Sequence, residues 1–159
     1  MIEKILLLLL VLSGLVCLIG LIGYCLEEPS TPVSKLLINK STFVNLVIDW
    51  CHTHIPNKVK NKPAFVVKYY LTKNTHGVYN PSNNLIVIYV NTHHTVEHLV
   101  NTIIHEYIHA GQRNRSFTKM YDQYTQELGY WDNPYEIEAR QEAAKYQMEC
   151  IKYFKRYYI

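Results

Sequence analysis

The sequence predicts an α+β fold: a small sheet, an internal helix and a long C-terminal helix, preceded by one apolar N-terminal segment. Three observations carry this. Two short runs rich in β-branched and aromatic residues, AFVVKYYL at 64–71 and LIVIYV at 85–90, are separated by turn-forming residues. The segment TVEHLVNTIIHEYIHA has apolar residues at helical spacing and is followed by Gly111. The C-terminal stretch opens on Asn133–Pro134, an N-terminal helix pairing, and continues without a breaker.

Residues 5–26 contain no charged side chain and are mostly Leu, Ile and Val. At about 1.5 Å per residue such a run is long enough for a hydrocarbon core of roughly 30 Å. No A-x-A-like cleavage site follows it, which favours a retained anchor over a cleaved signal. The expectation is therefore a single-pass transmembrane signal anchor over 1–26. Lys4 before it, with Glu27 and Glu28 after it, places the remaining chain outside the cytoplasm or in a lumen by the positive-inside tendency. Residues 27–40, with Pro29 and Pro32, read as a short stiff linker, and 41–159 as one domain.

The net charge of +3 is spread along the chain without a basic cluster, so no nucleic-acid partner is expected. Cys51 and Cys150 belong to the domain and could pair in an oxidising compartment, though buried thiols are the commoner case.

The first helix is expected over STFVNLVIDWCHTHI, capped by Ser41 or Thr42 and ended by Pro56, with Phe43, Leu46, Val47 and Trp50 inward. Residues 75–84, holding Gly77 and Pro81, read as a turn-rich excursion. Strand 85–90 is apolar enough to be covered on both faces. The central helix is expected over 95–110, then a tyrosine-rich loop to Asp132. The last helix is expected to turn Ile137, Ala144, Met148, Ile151 and Tyr158 to the core.

The chemistry lies in HEYIH. Residues four apart share a helix face, so His105 and His109 can meet one metal ion, with Glu106 adjacent as general base. His98, Thr102, His105 and His109 project onto a stripe about 60° wide. Val96, Leu99, Val100, Ile103, Tyr107 and Ala110 lie opposite. A surface helix would carry Lys and Glu opposite its core face; histidines there suit a helix between a core and a metal cleft. Satisfied core histidines are the bland alternative, and a pair flanking Glu106 makes it the weaker one.

HTVEH (94–98) matches an inverted zinc pattern. His94 falls at or before the helix start, which removes the shared face, and His98 reads as a hydrogen-bonding neighbour on the stripe. Cys51 and His54 in CHTH lack a partner cluster, and His93 and His94 read as a solvated connection.

A catalytic zinc takes three protein ligands and keeps one open position. Arg113 and Arg115 occupy the places where a third histidine could follow. What remains is NPYEIEAR, with Glu136 and Glu138. HEYIH followed by this E-x-E-A helix resembles the gluzincin metallopeptidases. The resemblance implies a minimal zincin-like domain, Zn2+ as cofactor, and a peptide or protein as substrate. It also implies Glu136 as third ligand beside His105 and His109. Arg140 stands where that family often has an Asp that orients a zinc-bound His. Glu136 could instead close the helix start as a capping box from Asn133, leaving Glu138 as ligand. The two carboxylates are about 200° apart, so one alone can face the metal. Tyr124, Tyr130 and Tyr135 are candidate oxyanion donors. The resemblance further implies strand 85–90 as the edge that pairs with substrate.

The expected function is a zinc-dependent peptidase. The alternative is a catalytically silent zincin-like binding module tethered to a membrane.

Overall fold

The computed structural model describes residues 30–55 and 59–159. Four helices and one three-stranded sheet form an α+β unit spanning Thr31–Ile159. Helix α1 covers Lys40–His54, and strands β1 Ala64–Lys68, β2 Gly77–Asn80 and β3 Leu85–Tyr89 follow. Helices α2 Val96–Gln112, α3 Phe117–Leu128 and α4 Pro134–Tyr158 complete it.

The transmembrane expectation is corrected. No helix among the described residues is long and apolar enough to cross a membrane. Segment 1–26, to which the anchor was assigned, lies outside the described residues. The single-pass location, with its extracytoplasmic or lumenal domain, loses its ground.

The linker boundary moves as well. Residues 31–37 are part of the fold: Pro32 bridges Thr95, Val33 N donates to His94 O at 3.0 Å, and Val96 N donates to Thr31 O at 2.8 Å. Both Glu97 carboxylate oxygens accept Thr31 N at 3.0 Å, and Leu37 N donates to Tyr158 O at 3.0 Å. Glu97 in the first turn of α2 therefore binds backbone.

α1 begins one cap earlier than expected, because the Asn39 side chain accepts from Thr42 N at 2.8 Å. Ile55 ends it in extended backbone, as the residue before a proline must. The excursion at 75–84 contains β2, which forms a hairpin with β3 across Pro81–Asn84. Asn84 takes a left-handed φ of 52°, a conformation asparagine tolerates. β3 is the central strand, parallel to β1 and antiparallel to β2. Its burial alternates rather than filling both faces: Ile86 and Ile88 are fully buried while Leu85, Val87 and Tyr89 are half-buried. The helices pack on one side of the sheet, and Val66 and Val78 remain exposed on the other.

α2 is the hub. Thr95 caps it, its side chain accepting from His98 N at 3.2 Å. Val96, Leu99, Val100, Ile103, Ile104, Tyr107 and Ile108 are all fully buried against α1, α4 and the sheet. Gly111 stays helical, and α2 runs on to Gln112. The loop expected before Asp132 contains α3, ended by Gly129 at φ 83°, whose N–H reaches Thr125 O at 3.0 Å.

α4 turns inward a stripe that matches the expected one only in part, at Ile151 and at Tyr158, which packs against the core. Glu136, Ala139, Ala143, Cys150, Ile151 and Phe154 are buried, whereas Ile137 and Met148 are exposed. Two alanines at the contact let α4 lie close to α2. Asn101 Nδ2 donates to Gln147 Oε1 at 2.9 Å, and Gln147 Nε2 donates to Glu97 O at 3.2 Å. Further along, His109 meets Glu136. The two helices are thus antiparallel, which carries the start of α4 to the C-terminal half of α2.

Candidate metal centre

His105, His109 and Glu136 each offer a ligand atom, and these atoms lie within 4.8 Å of one another. His105 Nε2 is 3.0 Å from His109 Nε2 and 3.2 Å from Glu136 Oε2; His109 Nε2 is 3.2 Å from Glu136 Oε1. The histidines come from successive turns of α2, and Glu136 from the first turn of α4. Glu136 does not close its own helix: Asn133 Oδ1 accepts from Tyr135 N at 3.0 Å, and the Glu136 carboxylate turns to the histidines.

Gln112 Nε2 donates to Tyr135 O at 3.0 Å and to Glu138 Oε2 at 3.1 Å, which turns its amide oxygen toward His109. That oxygen, 2.7 Å from His109 Nδ1, can only accept, so Nδ1 carries the proton. His109 Nε2 in the neutral ring is then a bare lone pair aimed at a carboxylate and a second imidazole. Glu136 Oε2 is itself buried with no hydrogen-bond partner. Lone pairs converging at such distances need a positive charge among them, either a proton or a metal ion. Burial opposes charge on His109, but its bond to Glu136 and the carboxylates of Glu106 and Glu136 outweigh this and raise its pKa. Burial likewise pushes Glu136 up, yet the imidazoles of His105 and His109, where either carries a positive charge, and the hydrogen bond from Tyr121 win and hold it well below the usual carboxylate range. Two imidazoles and a carboxylate are a donor set that suits zinc.

Glu106 is buried beside this group. Burial raises its pKa above the ordinary carboxylate value, partly offset by His109 and His105. Gly77 of β2 lies directly against it: a methyl group there would stand 2.8 Å from Glu106 Cγ and from Thr102 Cγ2. The strand can approach α2 this closely only without a side chain at that position.

Glu138 is not in the group; it holds the Gln112 amide. Arg140 lies beside Glu136, with Nη1 3.9 Å from Oε2 and its guanidinium 5.2 Å from the Trp131 ring centroid. His109 Nδ1 is held by Gln112, not by the residue at 140. Tyr121 donates to Glu136 Oε1 at 2.6 Å, and Asn133 Nδ2 ties α3 to α4 through Tyr121 O at 3.1 Å and Thr125 Oγ1 at 2.9 Å. Both Tyr121 and Gln112 escaped sequence reading. Gln112 stands three residues after His109, a same-face helical spacing, and Phe117, Tyr121, Tyr124 and Leu128 follow helical spacing too.

A cleft of about 640 Å³ runs along this face of α2, bounded by β2, α3 and the start of α4. Of the three tyrosines considered as oxyanion donors, Tyr130 lines it; Tyr124 and Tyr135 pack against each other beside Phe117. The cleft is bordered by β2, one of the sheet's two edge strands. The expectation that strand 85–90 pairs with substrate is corrected, because β3 has neighbours on both sides.

The other histidines fall into place by contact. His52 Nδ1 is 2.9 Å from Tyr107 Oη, and His54 stacks on Trp50 at 4.7 Å, so CHTH is structural. His94 is exposed, but His93 is buried rather than solvated. Burial, then His98 and His76, lower the His93 pKa to about 4. Cys51 and Cys150 are both free, buried thiols.

Compared with known proteins, the chain matches no family model, no curated protein and no solved structure.

Proposed function

We propose that this protein is a zinc-dependent peptidase of gluzincin type, with zinc held by His105, His109 and Glu136 and with Glu106 as general base. One observation carries the reading: three metal-competent groups from two helices converge within 4.8 Å, next to a buried carboxylate, on the wall of a cleft. When bound there, zinc would supply a Lewis acid that polarises a peptide carbonyl and lowers the pKa of water toward about 7.

The chain's own groups supply the rest. Glu106 takes a proton from the attacking water and returns it to the leaving amine. Its burial brings its basicity closer to neutral pH, which suits both halves of that transfer. β2 offers the free main-chain edge along the cleft, so an extended peptide would add to it as a fourth strand. Of Tyr124, Tyr130 and Tyr135, Tyr130 is the one on the cleft wall and is assigned here as donor to a developing oxyanion. Trp131, exposed beside it and braced by Arg140, offers an aromatic surface to substrate side chains.

The test is zinc content and cleavage of a mixed peptide library by the full chain and by Glu106→Gln. Bound zinc with cleavage lost in the variant supports the enzyme. Bound zinc without cleavage in either protein would leave a binding module. A chain that takes up no zinc overturns both readings.

A further inference from the structure

At the other end of the same cleft His76, His93 and His98 meet. One ligand nitrogen from each lies within 4.8 Å of the other two. Their ring centroids are 4.7 Å apart for His76–His98 and His93–His98, and 5.4 Å for His76–His93. His76 immediately precedes β2, His93 follows the short turn after β3, and His98 stands in the first turns of α2.

Hydrogen bonding settles two of the tautomers. The Thr92 hydroxyl donates its one proton to Tyr89 O at 2.7 Å, so it accepts from His76 Nδ1 at 3.0 Å. His76 Nε2 is then the lone pair. His93 Nδ1 lies 3.1 Å from the same Tyr89 carbonyl, which can only accept, so His93 also carries its proton on Nδ1. Its Nε2 lone pair accepts from the Thr102 hydroxyl at 3.0 Å, a hydrogen bond that an ion on this nitrogen would displace. A ring whose far N–H is anchored on a carbonyl or hydroxyl is the usual setting of a metal-ligating histidine.

We propose that His76, His93 and His98 form a second transition-metal site, separate from the one at His105, His109 and Glu136. Three imidazoles favour zinc, nickel or copper over magnesium or calcium. His98 and His105 are seven residues apart on one helix, about 10 Å along its axis. Ions in a shared binuclear centre stand about 3.5–4 Å apart, so this would be an independent ion. It would join the start of β2 to the start of α2, next to the point where Gly77 meets Glu106. His98 and His76 line the cleft, so a ligand position left open would face the substrate channel.

The experiment is stoichiometric Zn2+ titration of the metal-depleted full chain, followed by competition with a chromophoric chelator. Wild type should bind two equivalents, and the His76→Ala/His98→Ala and His105→Ala/His109→Ala variants one each. His98→Gln alone, at an exposed position that leaves the core untouched, should weaken one equivalent at least tenfold. One wild-type equivalent that survives in His76→Ala/His98→Ala overturns the proposal and leaves the peptidase site standing. One that survives only in His105→Ala/His109→Ala supports the proposal and removes the peptidase site. No bound zinc overturns both.

Discussion

The Gln112 side chain accepts a hydrogen bond from His109 Nδ1 at 2.7 Å while donating to Glu138 and to the Tyr135 carbonyl. This relay reaches from the end of α2 to the first turn of α4 and chooses the imidazole tautomer that presents Nε2 to Glu136. Removing the acceptor should loosen metal binding without touching a ligand. Gln112→Ala is expected to lower zinc affinity about 10- to 100-fold, as loss of an outer-shell partner does. Chelator competition measures it, and an affinity equal to wild type would refute the relay.

The two carboxylates of the last helix should separate cleanly. Glu136→Gln removes the buried ligand and is expected to abolish tight zinc binding at that site. Glu138→Gln keeps an acceptor for Gln112 and should retain the metal with only a modest loss. Zinc content after dialysis distinguishes them, and equal retention would mean that Glu136 is not a ligand.

Glu106→Gln preserves shape and removes basicity. Peptide cleavage should fall by about 100- to 10,000-fold, the usual worth of a general base, with zinc still bound. Full activity in the variant would assign proton transfer elsewhere.

Gly77→Ala forces a methyl group to within 2.8 Å of Glu106 and Thr102. The crowding should cost about 1–3 kcal/mol of stability, as overpacking does, and push Glu106 out of place. A lowered denaturation midpoint together with reduced turnover is the expected pair of results. An unchanged midpoint would show that β2 can move away at no cost.

Burial raises the pKa of both Cys51 and Cys150 above the ordinary thiol range. A pKa raised in the folded state means that the unfolded chain releases its protons first, above about pH 8.5. Stability from these groups is therefore full below that pH and declines as pH rises beyond it. Iodoacetamide should label neither thiol in the folded protein and both in denaturant. Rapid labelling under native conditions would contradict their burial.

Much of the architecture could be read without coordinates where one physical rule acted alone. The Asn133–Pro134 start of α4 and the apolar face of α2 follow from local capping chemistry and 3.6-residue periodicity. The edge strand β2 was hidden because its residues, with Gly77 and Pro81 among them, resemble a turn. α3 was hidden because it buries little: Phe117 is its one buried side chain. The inward stripe of α4 is legible only in part: Ile151 is buried as its spacing implies, but at the start of the helix Glu136, Ala139 and Ala143 face inward instead of Ile137.

The histidine pair and its neighbouring glutamate were evident in the spacing of HEYIH, since helix geometry alone puts residues four apart on one face. Which carboxylate joins them was not, because Glu136 and Glu138 differ only in which way a helix of unknown placement is turned. Packing of Ala139 and Ala143 against α2 sets that rotation and turns Glu136 inward. The same long-range packing gathers His76, His93 and His98 from three elements, a meeting that no local spacing encodes.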